Sequence, residues 1–301
     1  MLNLFNSINN SSINLLELII LLLAILSLLI IIFYYFYFFL RLVFYKKEKK
    51  EFNQPISIII CAKNELNNLK RNLPLFLEQY YFDFEVIIVN DQSTDTTKLF
   101  LDELSKKYRN LVIVDIDDFV THTIGKKFAL TLGIKTAKHE HLLLTDADCK
   151  PNSKNWVKDM ASNFNDSEIL LGYGSYKKAG GLLNKIIRFD TFNVAQQYLS
   201  FALLGLTYMG VGRNLGYKKS HFFKNKGFAK HIHIPSGDDD LFIQEIAKKN
   251  TIGIETSTHT HTISEVPETW SSWLYQKRRH LSTAPLYKIK FKILLALYPF
   301  S

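Results

Sequence analysis

From Leu18 to Leu40 the chain carries no charge, and Ser27 is the only polar side chain in that run that is not aromatic. A helix rises 1.5 Å per residue, so the run is long enough to cross a hydrocarbon layer roughly 30 Å thick. A core helix of a soluble protein would keep one polar face, and this segment has none. A cleaved leader is also a poor fit. The run is too long, no basic residue precedes it and no small-residue cleavage site follows. Residues 1–17 contain Glu17 and no Lys or Arg, whereas Arg41, Lys46, Lys47, Lys49 and Lys50 follow at once. That asymmetry expects a plasma (inner) membrane span with the main domain on the cytoplasmic side. The bilayer is therefore the first expected partner.

The chain after the span is long enough for one α/β domain with its own core. The hydrophobic share of 47% excludes a disordered chain. The net charge of +9 admits an anionic partner. No nucleic-acid-binding signature accompanies it and the lysines flank apolar segments. The charge is therefore read as membrane-facing, with a smaller share at a pyrophosphate site, and no nucleic acid partner is expected. Cys61 and Cys149 each sit at the end of an expected strand and are read as small buried residues in a reducing compartment.

Short apolar runs alternate with helical stretches from Pro55 onward. Strands are expected at 56–62, 85–89, 111–115 and 141–145. Helices are expected at about 69–80, 96–107 and 126–136. This alternation implies a mostly parallel sheet. Ligands of such sheets bind outside the carboxyl ends of the strands. The polar groups Lys63-Asn64-Glu65, Asn90-Asp91 and Asp146-Ala147-Asp148 fall at three such ends. Two carboxylates one residue apart suit a hard cation that keeps water or substrate phosphates among its oxygen ligands. After Pro151 the pattern loosens, with helices expected after Gly237 through Lys248 and from Trp270 to Thr283. The segment 201–209 is read as either core or membrane-facing. The last stretch, from Tyr287, is read as an interfacial basic and apolar segment or as the start of a further span. The domain plan is 1–45 for tail and span (about 18–40), 54–283 for the main domain and 284–301 for the membrane-proximal segment.

At these residues the chain resembles the inverting family 2 glycosyltransferases of membrane-anchored bacterial type, with the Rossmann-like GT-A (nucleotide-diphospho-sugar transferase) fold. ISIIICAKNE resembles the family's opening strand and turn, with Lys63 where Arg is usual. VIIVNDQSTDTT resembles its donor-binding segment, with Gln92 where Gly is usual. GKKFALTLGI resembles the segment that brings Lys126 or Lys127 near the donor, and LLLTDADCKP is the D-x-D motif. VGRNLGYKKS resembles the acceptor-pocket segment. SGDDDLFIQEI resembles the E-D-x-D-L motif, with Gly237 where Glu is usual, so that Asp238 falls at the catalytic base and Asp239 competes with it. QKRRH resembles Q-x-x-R-W of the processive members, with His280 in place of Trp.

The resemblance implies transfer of a sugar from a nucleotide-diphosphate sugar, with Mg²⁺ or Mn²⁺, to a lipid-linked or glycan acceptor. It implies donor contacts at Lys63, Glu65, Asp91, Lys126, Asp146, Arg278 and Arg279, and metal contacts at Asp146 and Asp148. A carboxylate suits the base because an attacking hydroxyl must lose its proton. His280 in place of Trp argues for single addition over processive synthesis. Four other readings remain open from the residues: acidic capping of a helix start at 238–240, a basic helix at 276–280 lying on lipid headgroups, a third ligand at His259 or His261, and zinc at the two H-x-H pairs. For the whole chain the alternatives are a processive polysaccharide synthase and a nucleotide-sugar-binding protein without turnover. A nucleotidyltransferase would need an early Gly- and Arg-rich phosphate loop, and KNELNNLK is not one.

Overall fold

The computed structural model describes residues 14–48, 50–116, 125–247 and 251–299. Residues 1–13 of the orienting flank, Lys49, Lys248 at the expected end of a helix, and the final Phe300 and Ser301 lie outside them.

The apolar run forms one long helix, Leu15–Val43, with a mean hydropathy of 3.3 and none of its most apolar window buried in the domain. Asn14 caps it. The Asn14 side chain accepts from the Glu17 N–H at 2.9 Å, and the Glu17 carboxylate accepts from the Asn14 N–H at 3.0 Å. This reciprocal pair satisfies helix-end donors that would otherwise stay unpaired. Near its C-terminal end the helix widens into a π-helical stretch, Tyr34–Phe39. There the surroundings change: Tyr34, Phe38 and Phe39 are buried, and Phe38 lies 4.4 Å from Phe201 between ring centroids. The Tyr34 hydroxyl donates to the Leu294 carbonyl at 2.6 Å, in the C-terminal helix Ile289–Leu297. The segment 201–209, left open between core and membrane, thus lies largely in the core, with Phe201 and Tyr208 buried where the long helix meets the domain.

The main sheet has seven strands in the order β3-β2-β1-β4-β8-β6-β9. They are β1 (Ile56–Ala62), β2 (Phe84–Asp91), β3 (Leu111–Ile116), β4 (His141–Asp146), β6 (Ile169–Gly172), β8 (Leu215–Lys218) and β9 (Ile252–Glu255). Only β8 runs against its neighbours. β1 to β4 are apolar along their length because helices cover both faces. Leu66–Leu77 and Trp156–Ala161 pack on one face, and Lys126–Thr136 and Leu182–Leu203 on the other. Gly133 sits where the helix crosses the sheet. A Cβ there would come within 2.8 Å of Ile59 and 2.9 Å of Val89.

β2 and β4 flank β1, so the strand order reverses there and leaves a crevice at the carboxyl ends. The register pairs Cys61 with Asp146 and Ala62 with Asn90, which aligns the polar strand ends side by side. A small second sheet, β5 (Cys149–Pro151), β10 (Thr262–Ser264) and β7 (Gly174–Tyr176), closes one side of that edge. Both cysteines are free, with Cys149 buried and Cys61 half-buried.

Candidate active site

At the β1 and β2 ends the backbone is tied into a strap. Asn64 holds φ = 56°, and its side-chain oxygen accepts from the N–H groups of Thr94 (2.7 Å) and Asp95 (3.3 Å). Gln92 holds φ = 54°, the left-handed region that favours glycine, which is the physical reason a glycine suits this position. Asp91 is buried beside the strap, and its Oδ1 has no hydrogen-bond partner among the described residues. A buried carboxylate oxygen without a donor is costly unless a bound molecule supplies one. Glu65 lies at the same edge and accepts from Asn68 at 2.6 Å. Lys63 is exposed there.

The D-x-D turn follows β4. Asn72 donates to the Ala147 carbonyl at 3.2 Å and braces the turn from below. Lys126, the first residue of its helix, reaches across to it. Lys126 Nζ lies 2.8 Å from Asp146 Oδ1 and 3.2 Å from Asp238 Oδ2, so one ammonium joins the D-x-D turn to Asp238. Burial alone would push the Asp146 pKa up; Lys126, then Arg213 and Arg279, outweigh it and hold the group below the usual carboxylate range. Burial works against Lys126 in the same way, and Asp146, Asp238 and Asp239 overcome it and raise its pKa. Asp148 differs. Burial first, and the neighbouring Asp146 second, push it up to about 6, and its hydrogen-bond donor is the Cys149 thiol at 3.5 Å. Lys127 turns away. Its ammonium donates to the carbonyls of His231 (2.6 Å) and Ile234 (3.1 Å), which leaves Lys126 as the lysine of the site.

The three aspartates 238–240 have separate surroundings. The Asp238 side chain keeps 10% of its surface and faces Lys126. Asp239 accepts the Gly212 N–H at 2.8 Å, and burial, followed by Asp238 and Asp240, pushes it up to about 7. Asp240 caps the helix Leu241–Ile246 by accepting the Leu241 N–H at 2.6 Å. Its other oxygen takes the hydroxyls of Thr283 and Tyr287, the latter at 2.7 Å. Capping therefore falls to Asp240 and leaves Asp238 to the crevice. Gly237 holds φ = 98°, and a Cβ there would stand 2.8 Å from Leu241, so this turn has no room for the usual Glu.

Arg213 was not singled out from the sequence, although it stands just before β8 at the same edge. The Thr145 and Thr262 hydroxyls donate to its carbonyl at 2.8 and 2.9 Å, and its guanidinium lies 4.4 Å from the Tyr176 ring centroid. Its sequence signal is its place in the segment VGRNLGYKKS, two residues before β8. The helix Trp270–Leu281 carries Gln276, Arg278, Arg279 and His280 to this side. Arg279 is close enough to act on Asp146, and Arg278 is exposed. Burial, with the cations Arg279 and Arg213 adding to it, lowers the His280 pKa to about 4, and the ring is exposed on its outer side.

No group of three His, Cys, Asp or Glu side chains converges as a ligand set among the described residues. His259 and His261 thus do not join the aspartates, and His261 packs edge-on against Tyr173 at 4.9 Å. Two carboxylates alone suit a Mg²⁺- or Mn²⁺-like ion, which takes its remaining ligands from water and substrate phosphates. The raised, donor-poor Asp148 fits such an ion.

The family model for "Glycosyl transferase family 2" matches residues 57–225, from β1 to the far side of the acceptor-side segment. The chain belongs to glycosyl transferase family 2. Within the family it is 25% identical to "Probable glycosyltransferase YdaM" of Bacillus subtilis over 258 residues, 78% of this chain and 56% of that protein. It is 26% identical to an "Uncharacterized glycosyltransferase" of Haemophilus influenzae over 123 residues, 40% of this chain and 36% of that protein. The chain thus spans less than two thirds of the length of these curated relatives. Among solved structures it resembles "Mannosyltransferase PcManGT from Pyrobaculum calidifontis in complex with GDP-Man and Mn2+", with a TM-score of 0.67, 19% identity, and 94% of this chain and 80% of that one covered. A Staphylococcus aureus TarS fragment gives a TM-score of 0.53 at 20% identity over 70% of this chain and 60% of that one. Both neighbours have the GT-A fold, so the fold implied by the resemblance holds.

Proposed function

We propose that this family 2 member is an inverting glycosyltransferase anchored in the plasma membrane with its site on the cytoplasmic side. It would transfer a sugar from a nucleotide-diphosphate sugar to a lipid-linked or glycan acceptor. The observation that carries this reading is Lys126, whose one ammonium draws Asp146 and Asp238 to a common point.

In this reading Asp91 and Glu65 hold the nucleotide, and the unpartnered Asp91 Oδ1 accepts from a base N–H or ribose hydroxyl. Asp148, with Asp146, holds Mg²⁺ or Mn²⁺. When bound, the ion neutralises charge that builds on the leaving diphosphate. Asp238 accepts the proton of the acceptor hydroxyl as its oxygen forms a bond to the anomeric carbon from the opposite face. The bond from that carbon to the diphosphate oxygen breaks, and its electron pair leaves with the nucleoside diphosphate. Lys126 steadies both carboxylates, while Arg213 and Arg279 supply positive charge near the leaving group. Support for the donor class comes from the GDP-Man and Mn²⁺ named for PcManGT and from UDP-GlcNAc named for TarS. The Lys- and Arg-rich flank after the apolar helix supports the orientation.

The test is binding of UDP-, GDP- and dTDP-sugars to the detergent-solubilised chain with and without Mn²⁺, followed by turnover with candidate acceptors. Metal-dependent binding of one donor is expected. Folded protein that binds none of them would overturn the reading.

A further inference from the structure

A second cavity lies away from the aspartates, between the long apolar helix and the small sheet. Its volume is about 700 Å³, within the range of ligand sites, and the helix Leu182–Leu203 forms one wall. Leu42, in the last turn of the apolar helix, is part of its lining. So is Tyr176 of β7, whose ring lies against the Arg213 guanidinium. The cavity is therefore shared by the foot of the apolar helix and a residue that touches the edge of the candidate active site.

Its lining is split by chemistry. Phe189 and Phe192 stand 71% and 55% exposed, although both are large apolar side chains. Exposed aromatics one helical turn apart, beside a membrane helix, match an acyl or prenyl chain rather than water. Lys185 and Arg188 occupy the same wall, and neither has an ion-pair partner among the described residues. The nearby Asp190 is already engaged by Lys277. Unpaired cations next to apolar surface complement a molecule with an anionic head and an apolar tail.

We infer that this groove binds a lipid with a phosphate-type head, its chain along Leu42, Phe189 and Phe192 and its head on Lys185 and Arg188, pointing toward Tyr176 and Arg213. This deepens the proposed function by naming the acceptor class. The lipid site itself stands on the groove and does not need turnover.

The test uses the full chain in phosphatidylcholine nanodiscs, with dodecyl phosphate as probe and dodecanol and inorganic phosphate as controls. Saturable binding of one dodecyl phosphate per chain is expected. Dodecanol should bind at least tenfold more weakly, and excess inorganic phosphate should not displace the probe. The double variant Lys185→Gln/Arg188→Gln should weaken binding at least tenfold. Gln196→Trp, which narrows the groove without changing charge, should weaken it independently. Binding of dodecanol equal to that of the phosphate, displacement by inorganic phosphate at equal concentration, several lipids per chain, or twofold or smaller effects in both variants would each overturn the inference. Nucleotide-sugar binding with Mn²⁺, measured on the same samples, should be unchanged in both variants. Its failure in the parent chain alone would count against the proposed function and leave the lipid site standing.

Discussion

Asp240 accepts a hydrogen bond from Tyr287 at 2.7 Å, 47 positions further along the chain. The contact ties the start of the helix beside Asp238 to the segment that follows the QKRRH helix. Tyr287→Phe removes it and leaves the Thr283 and Leu241 donors. A hydrogen bond to a charged group is worth about 1.5–3 kcal/mol, and a domain of this size loses roughly 2–4 °C of Tm per kcal/mol. Thermal unfolding should therefore fall by several degrees. An unchanged Tm would mean that Tyr287 does not hold Asp240 in solution.

Asp238 and Asp239 can be separated by turnover. Asp238→Asn should lower transfer by about 10²–10⁴-fold, the usual contribution of a positioned acid–base group, with donor affinity nearly intact. Asp239→Asn should retain most turnover because Asp239 is occupied by the Gly212 N–H. Full activity in Asp238→Asn would remove it as the base.

Asp239 also predicts a pH dependence of stability. Its folded-state value of about 7 lies above that of an unfolded chain, so the native state holds an additional proton between the two. The stability this provides is complete below the unfolded value and is lost as pH rises through about 7. Asparagine keeps an acceptor for Gly212 and never ionises. The Tm of Asp239→Asn relative to the parent should rise between pH 5 and pH 8. A difference that stays flat with pH would show that Asp239 is ionised throughout.

Lys126 stands where a cation is expected to act. Lys126→Met should leave Asp146 more available and tighten Mn²⁺ binding in the absence of donor, while transfer falls. Asp148→Ala should do the opposite to the metal and weaken Mn²⁺-dependent donor binding by on the order of tenfold or more. Calorimetric titration with Mn²⁺ separates the two. Looser Mn²⁺ binding in Lys126→Met would contradict the competition.

The aromatic lock at the base of the long helix can be probed through Phe38 and Phe201. Truncating either buried ring to Ala should cost about 3–5 kcal/mol. The double variant should cost less than the sum, because the two rings share a contact. Additive losses would show that the helix and domain are energetically independent.

The first half of the domain was legible because β1 to β4 are short apolar runs separated by helical stretches and polar turns. The helix 126–136 falls on the residues expected, and Asp146 and Asp148 stand at a strand end as the pattern requires. The helix Leu182–Leu203 was not legible. It packs on the apolar helix on one side and on β7 and β9 on another, so apolar residues fall around much of its circumference and no single stripe emerges. The small sheet was invisible for a different reason: its strands are three residues long and are held by partners distant in sequence. Arg213 escaped notice because its importance depends on that sheet, which brings Tyr176 against its guanidinium. After Gly237 a longer helix was expected. The structure begins it only at Leu241, since Gly237 in the left-handed region turns the backbone and the three aspartates form the approach.

The π-helical aromatic stretch has a consequence for reach. Tyr34 and Phe38 are interlocked with Phe201 and Leu294, which seats the foot of the apolar helix directly on the domain core. With that helix in a bilayer, as proposed, the height of the aspartate crevice above the lipid would be set by packing, as by a ruler, and substrates would have to come to that one level.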